Sequence, residues 1–351
     1  MKLIYDTATR KTKSPPGVEI FVPEWGRTEP IEWVDTTPIL EYFDFGAYFY
    51  YVADALVKNG YVRGETLFGA PYDFRKGPNE NGEWFERLAY LTEYVYSINN
   101  NIGITFIAHS MGGRMLLYFL QEMPQEWKDV YVKRVIALSV PWGGSTNTLK
   151  ALSIGYNLGI NLVNSQKMKE VEETYPSVVW LLPSEYFWKE NEVLTSMNGN
   201  NYTLKNLDQF FSDIGSPNIV EMRKDLQPYG SFMAPGVEMH CLFGNSDNGV
   251  FESLNFGKGL NANPIEVKGE GDGTVNRRSL IGCNYWQNTP AQFGYAIHQQ
   301  EIPDAEHYDI LSDFRLIDYI TRTLCGVTGY TEVRRQNKTH KNNKIMRIRL
   351  F

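Results

Sequence analysis

The stretch ITFIAHSMGGRMLLYFL, residues Ile104–Leu120, decides the fold of this chain. Its first four residues are β-branched or aromatic, without polar alternation, which predicts a strand buried on both faces. From Met115 onward its apolar residues recur at helical spacing, which predicts a helix. The pattern small-x-Ser-x-Gly lies between them with Ser110 at its centre. The serine is therefore expected on a sharp turn from strand to helix.

Such a turn is a nucleophile elbow, which exposes the serine hydroxyl at the carboxyl edge of a parallel sheet. Small residues are expected at positions 108 and 112, because strand and helix nearly touch there. Gly112 fits this expectation, whereas Ala108 stands where glycine is commoner. The alternative is an ordinary buried turn with a chance serine. The strand before Ser110 and the helix after it favour the elbow.

The composition limits the classes to which the protein can belong. With 351 residues, 42% of them hydrophobic and 14% aromatic, the chain can bury a large core, as one α/β domain with insertions or as two domains. A net charge of −7 argues against a nucleic-acid partner. No apolar run approaches the ~20 residues of a membrane-spanning helix. The first residues, Met1–Asp6, meet charge too early for a signal peptide.

Strand and helix patterns alternate around the elbow and predict a mostly parallel sheet with right-handed crossovers. The other predicted elements are strand Gly17–Pro23, helix Phe45–Asn59, strand Glu65–Tyr72, helix Glu83–Tyr96, strand Lys133–Val140, strand Val237–Gly244, strand Ala296–Ile302 and helix Ile310–Leu324.

We predict a core in two parts, residues 1–145 with the nucleophile and residues 236–328 with an acid and a base. Residues 146–235 interrupt the alternation and are rich in aromatic side chains. They are expected to form a cap insertion over the serine. The alternative is a helical subdomain with no part in substrate access. Residues 329–351 are expected to be a disordered basic tail.

A serine hydroxyl becomes a good nucleophile only when a base takes its proton and a carboxylate orients that base. In this type of fold the chain order is serine, acid, histidine. His307 follows the last predicted strand in a loop, where the base is expected, and His298 is its serious rival. His109 adjoins the nucleophile and is expected to point away from it. His240 lies inside a strand pattern, and His340 lies in the polar tail.

Two acids compete for the role of orienting carboxylate. Asp247 closely follows the predicted strand Val237–Gly244, and Asp272 lies in the glycine loop Gly269–Thr274. Backbone N–H groups of such a loop can hold a carboxylate. The loop lacks the alternating carboxylates of a calcium site and the Gly-Lys-Ser/Thr ending of a phosphate loop. The residues alone favour Asp272 and leave Asp247 open.

Several further segments are similar to the lecithin:cholesterol acyltransferase family, and most of all to its lysosomal phospholipase A2 branch, the group XV phospholipid transacylases. The segments that carry this resemblance are GETLFGAPYDFR (64–75), GPNENG (77–82), AHSMGG (108–113), PQEWKDVYVKRVIALSVPWGGS (124–145), NYTLKNLDQFFSDIG (201–215), HCLFG (240–244), GDGTVNRRS (271–279) and EH (306–307). The resemblance runs from about Tyr5 to Gly326.

The resemblance implies an α/β-hydrolase fold and a catalytic triad of Ser110, Asp272 and His307, with the N–H of Met111 as an oxyanion donor. It also implies a disulfide between Cys241 and Cys283, worth about 3–4 kcal/mol for a loop of roughly 43 residues. Cys325 would then be a free thiol. Asn201 matches a family glycosylation sequon, whereas the sequon at Asn337 has no such counterpart. No metal or organic cofactor is implied.

The chain also departs from the family. Family members begin with a signal peptide, followed by a strand, a Pro-Gly loop that supplies a second oxyanion N–H, and a membrane-touching lid. None of these features is found before Tyr5, and Val22–Gly26 does not replace the loop. We therefore expect an amino terminus that is truncated relative to the family. The tail Tyr330–Phe351 carries seven Lys or Arg against one Glu. This composition is typical of a solvated disordered segment, and the alternative is a contact with anionic membranes.

The function expected from the resemblance is cleavage of a fatty acyl ester of a glycerophospholipid through an acyl-serine. The acyl group would pass to water or to a lipid alcohol at a phospholipid membrane or lipoprotein surface. We expect a monomer, in a lysosome or secreted. The alternatives are a catalytically impaired lipid-binding chain of the same fold and a soluble esterase or thioesterase.

Overall fold

The structure is a computed structural model that describes residues 1–22, 24–34, 46–156 and 164–326. These residues form two compact units. The first contains residues 1–22, 72–156 and 164–307, and the second contains residues 24–34, 46–71 and 308–326. The predicted tail at 329–351, with the sequon at Asn337, and the predicted helix start at Phe45 lie outside the described residues.

The strands lie in the first unit and form three sheets within the described ranges. They are β1 (Ile4–Asp6), β2 (Lys11–Lys13), β3 (Ile104–His109), β4 (Val132–Leu138), β5 (Thr195–Met197), β6 (Asn200–Tyr202), β7 (Met239–Asn245), β8 (Val250–Asn255), β9 (Ile265–Gly269) and β10 (Ile297–Pro303).

The helices divide between the two units. They are α1 (Glu29–Glu32), α2 (Tyr50–Lys58), α3 (Gly82–Ile98), α4 (Met111–Glu122), α5 (Gln125–Tyr131), α6 (Asn147–Ile154), α7 (Ser165–Glu172), α8 (Pro176–Trp180), α9 (Leu207–Asp213), α10 (Pro217–Leu226), α11 (Arg277–Leu280) and α12 (Phe314–Cys325). The second unit contains α1, α2 and α12. Across the described ranges, every helix is too short or too polar to cross a bilayer.

The main sheet has the strand order β10-β7-β4-β3, and each neighbouring pair is parallel. Residues Val135–Leu138 of β4 are nearly inaccessible to solvent, as expected of a central strand covered on both faces. Because the strands run in the same direction, their carboxyl ends share one edge of the sheet. Ser110 follows β3 at this edge, and the loop that carries His307 follows β10.

A second sheet, of order β6-β5-β8-β9, lies in the same unit. Its strands β5 and β6 come from the predicted insertion at 146–235, whereas β8 and β9 come from the following part of the chain. Trp188, Phe210 and Phe211 of the insertion are almost completely buried in one apolar cluster that also contains Met115 of α4. The insertion therefore packs against the helix that follows Ser110.

Two strand predictions are wrong. Residues 17–22 begin in a turn and continue as an irregular segment outside any sheet, and Val18, Ile20 and Phe21 are exposed. Residues 65–72 begin with a tight turn in which three successive N–H groups, from Glu65 to Leu67, donate to the carbonyl of Val62. β-Branched content reports local propensity, but a strand also needs a continuous run of hydrogen-bonded partners. In residues 65–72 the pairing is limited to isolated bridges, such as that between Gly69 and Gly26, so no strand forms.

The second unit is held by buried polar contacts as well as by apolar packing. Glu32 is 3% exposed, and each of its carboxylate oxygens accepts a hydrogen bond of 2.7 Å from the guanidinium of Arg63. Helix α12 begins where the side chain of Asp313 accepts a bond from the N–H of Arg315, and it ends at Gly326 in the left-handed conformation. The predicted closing helix is thus confirmed, with shifted ends.

Candidate active site

Ser110 lies on the predicted elbow between β3 and α4. Its φ of 54° and ψ of −133° are unusual for a residue with a side chain, which is the strain expected of a nucleophile elbow. The strain is held by the sheet, because the N–H of Ser110 still donates to the carbonyl of Leu138 at 2.9 Å. Ser110 as a whole is half-buried.

The close approach of strand and helix occurs one residue later than the sequence predicted. A Cβ on Gly112 would lie 4.0 Å from the hydroxyl of Tyr72, its nearest neighbour, which is an ordinary contact. A Cβ on Gly113 would instead lie 2.2 Å from the side chain of Val140. Gly113 is therefore the residue that lets α4 start this close to the sheet.

The three side chains of the predicted triad form one hydrogen-bonded line. Nε2 of His307 lies 2.8 Å from Oγ of Ser110, and Nδ1 lies 2.7 Å from Oδ2 of Asp272. His307 is 2% exposed and Asp272 is fully buried. With Nδ1 donating to the carboxylate, Nε2 can accept the proton of the serine hydroxyl.

The loop around Asp272 is built to hold a carboxylate. Oδ1 of Asp272 accepts hydrogen bonds from the N–H groups of Thr274 at 3.1 Å and Val275 at 2.8 Å. Its backbone carbonyl accepts the N–H of His307 at 2.8 Å, so acid and base are tied through the main chain as well. Asp247 is exposed, and the line contains Asp272 in its place. His298, the rival base, lies near the amino-terminal end of β10, whereas the triad lies at the carboxyl edge of the sheet.

A support for this loop was missed in the sequence. The turn after β4 contacts it directly: Oγ of Ser145 donates to the carbonyl of Thr274 at 2.6 Å, and Asn147 donates to the same carbonyl at 3.0 Å. Oδ1 of the buried Asn276 accepts the N–H of Thr146 at 3.0 Å. The only signal in the sequence was that PWGGS and GDGTVNRRS both carry the family resemblance.

His109 also contacts the base. Its Nε2 donates to the backbone carbonyl of His307 at 2.8 Å, and the two rings lie 4.8 Å apart. Burial and the neighbouring His307 hold the pKa of His109 well below its usual value, so it is neutral. His109 thus holds the backbone of His307, and its predicted orientation away from the nucleophile stays a prediction. The loop that carries His307 also passes close to β7, because a Cβ on Gly244 would lie 2.2 Å from the carbonyl of Ala305.

The remaining predicted site residues lie as follows. Met111 is the first residue of α4, where backbone N–H groups have no carbonyl partner within the helix. Cys241 and Cys283 are joined by a disulfide, and Cys325 is a free thiol. Asn201 is exposed on β6.

Arg114 joins the nucleophile helix to the insertion. Its guanidinium is buried, donates to the carbonyl of Trp180 at 3.0 Å and lies 4.3 Å from the centre of that indole ring. Burial lowers the pKa of Arg114 to about 10, so it remains charged at neutral pH.

A parallel sheet, a serine on a strained strand-to-helix turn, and a carboxylate and histidine in that chain order define an α/β hydrolase. The family model for lecithin:cholesterol acyltransferase matches residues 1–237. The lysosomal phospholipase A and acyltransferase of Homo sapiens is 36% identical over 331 residues, which cover 93% of this chain and 77% of the relative. The phosphatidylcholine-sterol acyltransferase of Gallus gallus is 33% identical, over 88% of this chain and 73% of the relative. This chain belongs to the lecithin:cholesterol acyltransferase family.

Among solved structures, the Tle4–Tli4 complex matches with a TM-score of 0.49 at 14% identity, covering 74% of this chain and 68% of that chain. An overlap of this size supports no argument by itself.

Proposed function

We propose that this chain is a serine-dependent lipid acyl hydrolase and O-acyltransferase that cleaves a fatty acyl ester of a glycerophospholipid. The observation that carries the proposal is the hydrogen-bonded line of Ser110, His307 and Asp272. The choice of substrate rests on the family, because the relatives are named for phospholipase A activity and for acyl transfer from phosphatidylcholine to a sterol.

In the first half of the proposed reaction, Oγ of Ser110 attacks the ester carbonyl carbon while its proton passes to Nε2 of His307. The carboxylate of Asp272 stabilises the imidazolium that forms. The N–H of Met111 donates to the oxyanion of the tetrahedral intermediate. Collapse of this intermediate breaks the ester bond, and His307 gives its proton to the leaving lysophospholipid oxygen.

In the second half, water or the hydroxyl of a lipid alcohol attacks the acyl-serine and gives its proton to His307. The products are a fatty acid or a new ester, and Ser110 takes the proton back. The partition between hydrolysis and transfer depends on which nucleophile reaches the acyl group.

Residues 146–235 act in this proposal as a cap over the serine. Two contacts support it: Arg114 binds Trp180, and the apolar cluster of the insertion contains Met115 of the nucleophile helix. The cap would shelter the acyl chain and exclude water. We further propose that the chain acts as a monomer at a phospholipid membrane or lipoprotein surface. A lysosomal or secreted location fits the relatives and the disulfide, since disulfides persist in oxidising compartments.

The test combines covalent labelling with lipid turnover. A fluorophosphonate probe should label the protein, and Ser110→Ala should abolish both labelling and release of fatty acid from phosphatidylcholine vesicles. Ser97→Ala is the matched control, because Ser97 is an exposed serine on α3, and it should change neither. Labelling that survives Ser110→Ala contradicts the proposed nucleophile.

Adding a lipid alcohol to the vesicles separates the alternatives. A phospholipid acyltransferase forms a new ester in proportion to the alcohol, whereas a soluble esterase cleaves only short water-soluble esters. A chain that binds vesicles without being labelled would be the impaired lipid-binding protein.

A further inference from the structure

A second group of ionisable side chains lies on the main sheet, near the amino-terminal ends of β7 and β10 and thus at the end away from Ser110. It consists of Glu238, His240 and His298. One potential ligand atom from each side chain lies within 4.8 Å of the other two. The proposed acyl transfer makes no use of these residues.

The sheet itself brings the three residues together. His298 of β10 is the register partner of His240 of β7, so the two side chains stand next to each other on parallel strands. Their rings are stacked with centroids 4.4 Å apart. Glu238 precedes His240 by two residues and therefore shares its face of the sheet. The intervening backbone is fixed, because Met239 donates to the carbonyl of Ala296 at 2.9 Å.

Polar atoms of these side chains are already in contact with one another. Nε2 of His240 lies 2.8 Å from Oε1 of Glu238, and Nε of Arg134 lies 3.1 Å from the same oxygen. Both contacts fall on Oε1, and a carboxylate has two oxygens that can act as ligands. His240 is 6% exposed, whereas His298 is exposed, so the cluster is anchored on one side and open to solvent on the other.

We propose that Glu238, His240 and His298 bind a divalent transition-metal ion, with zinc as the best match. Neutral imidazoles and a carboxylate are zinc ligands, with bonds of about 2.0–2.2 Å. Tetrahedral ligands at those lengths lie about 3.4 Å apart, so the longest separation between ligand atoms, up to 4.8 Å, must shorten by up to about 1.4 Å. Rotation of the exposed His298 side chain supplies this movement. A water molecule completes the coordination on the open side.

The bound metal would have a structural role. It would join β10, an edge strand of the sheet as described, to β7 through side chains in addition to the ladder of hydrogen bonds. It would also link the strand that precedes His307 to the strand that carries the disulfide cysteine Cys241. No step of acyl transfer passes through it.

The test measures zinc bound to the full-length protein after treatment with chelator, addition of ZnCl₂ and gel filtration. The parent protein should retain one more zinc ion per chain than His298→Gln, and zinc should raise its melting temperature. His298→Gln should lose affinity by at least about tenfold, since even partners of metal ligands cost 10–100-fold when changed. Glu238→Gln should lose the same ion. Bound Co²⁺ should give visible absorption that disappears in both variants.

Three controls locate the ion. His340→Gln removes an imidazole that is not one of the three proposed ligands, and Cys325→Ser removes the free thiol. Both should bind as much zinc as the parent. If zinc uptake instead falls in His307→Asn and persists in His298→Gln, the ion sits at the triad and the proposal is wrong. Equal zinc uptake by the parent and His298→Gln would also overturn it. Phospholipid hydrolysis by His298→Gln should match that of the parent, which keeps this proposal separate from that of the acyl-serine.

Discussion

Asp272 and Asp247 differ in their surroundings, and this difference decides which carboxylate can orient an imidazole. Asp272 is fully buried and bonded to Nδ1 of His307 at 2.7 Å, whereas Asp247 is exposed. Asp272→Asn should lower kcat on phospholipid vesicles by about 10³–10⁴, because an amide favours the wrong tautomer of His307. Asp247→Asn should change kcat by less than about twofold. Equal losses in the two variants, with unchanged circular dichroism, would contradict the assignment of the acid.

At the residue scale the sequence anticipated that Ser110, Asp272 and His307 would lie together, and it missed the contacts that surround them. Ser110 was predictable because a strand, a small-residue turn and a helix are local patterns. The hydrogen bond from His109 to the carbonyl of His307 joins residues 198 positions apart, and no local pattern reports it. The pairing of His240 with His298 likewise depends on strand register, which periodicity does not give.

At the scale of elements, the loop that holds Asp272 depends on Asn276. This side chain accepts the N–H of Thr146 and donates to the carbonyl of Phe251 at 3.1 Å. Asn276→Ala should lower the free energy of unfolding by several kcal/mol, because it leaves the N–H of Thr146 and the carbonyl of Phe251 without this partner. Each buried group left unpaired costs ~1–3 kcal/mol. It should also lower kcat by a larger factor than it changes KM, because the loop that carries Asp272 loses its support.

Urea unfolding and steady-state kinetics on vesicles test this prediction together. Asn288→Ala is the matched control, because Asn288 is exposed and should change neither quantity. An Asn276→Ala protein with parental stability would show that the turn after β4 does not hold the loop.

The proposed cap offers a prediction about membranes through an aromatic cluster of Tyr186, Phe187, Phe232, Tyr285 and Trp286. Tyr186 is 49% exposed, so it can change without loss of the core. Tyr186→Ser should lower turnover of vesicle phospholipid about fivefold, the equivalent of ~1 kcal/mol of apolar contact, and leave hydrolysis of a short soluble ester unchanged.

Tyr90→Ser is the matched control, because Tyr90 is 71% exposed on α3. It should affect neither substrate. Parallel losses on both substrates in Tyr186→Ser would indicate a folding defect. Trp180 and Trp188 do not suit this test, since both are buried in the apolar cluster.

The strands of the main sheet were predicted to within a few residues, and two other segments were not. Residues 104–107 are a run of β-branched and aromatic residues, and residues 135–138 are an apolar run that is nearly inaccessible to solvent, and runs of this kind are visible in sequence. Residues 17–22 and 65–72 have similar composition, yet local turns decide their conformation. The second sheet was missed because β5 and β6 are only three residues long, and β5 joins them to β8, whose paired residues lie more than 50 positions away.

At the scale of the whole molecule, two buried groups give the stability of the fold opposite dependences on pH. His109 has a lowered pKa, so its contribution is complete above the usual histidine value and is lost as the pH falls below it. Glu172 is 8% exposed, and burial raises its pKa to about 7 although its carboxylate accepts the N–H of Tyr156 at 2.9 Å. Its contribution therefore favours acid.

The sign for Glu172 follows from proton binding. Between its ordinary pKa of 4.5 and about 7, the folded protein holds a proton that the unfolded chain has released, so stability falls as the pH rises through this window. Glu172→Gln removes the ionisation and keeps an oxygen for the N–H of Tyr156. The variant should match the parent at pH 4.5 and exceed its free energy of unfolding at pH 8 by about 3 kcal/mol at most. Glu170→Gln, an exposed change on the same helix α7, should follow the parent at both pH values.

Urea unfolding at the two pH values measures the difference. A gain at pH 8 no larger than that of Glu170→Gln would mean that Glu172 is ionised in the folded protein without cost.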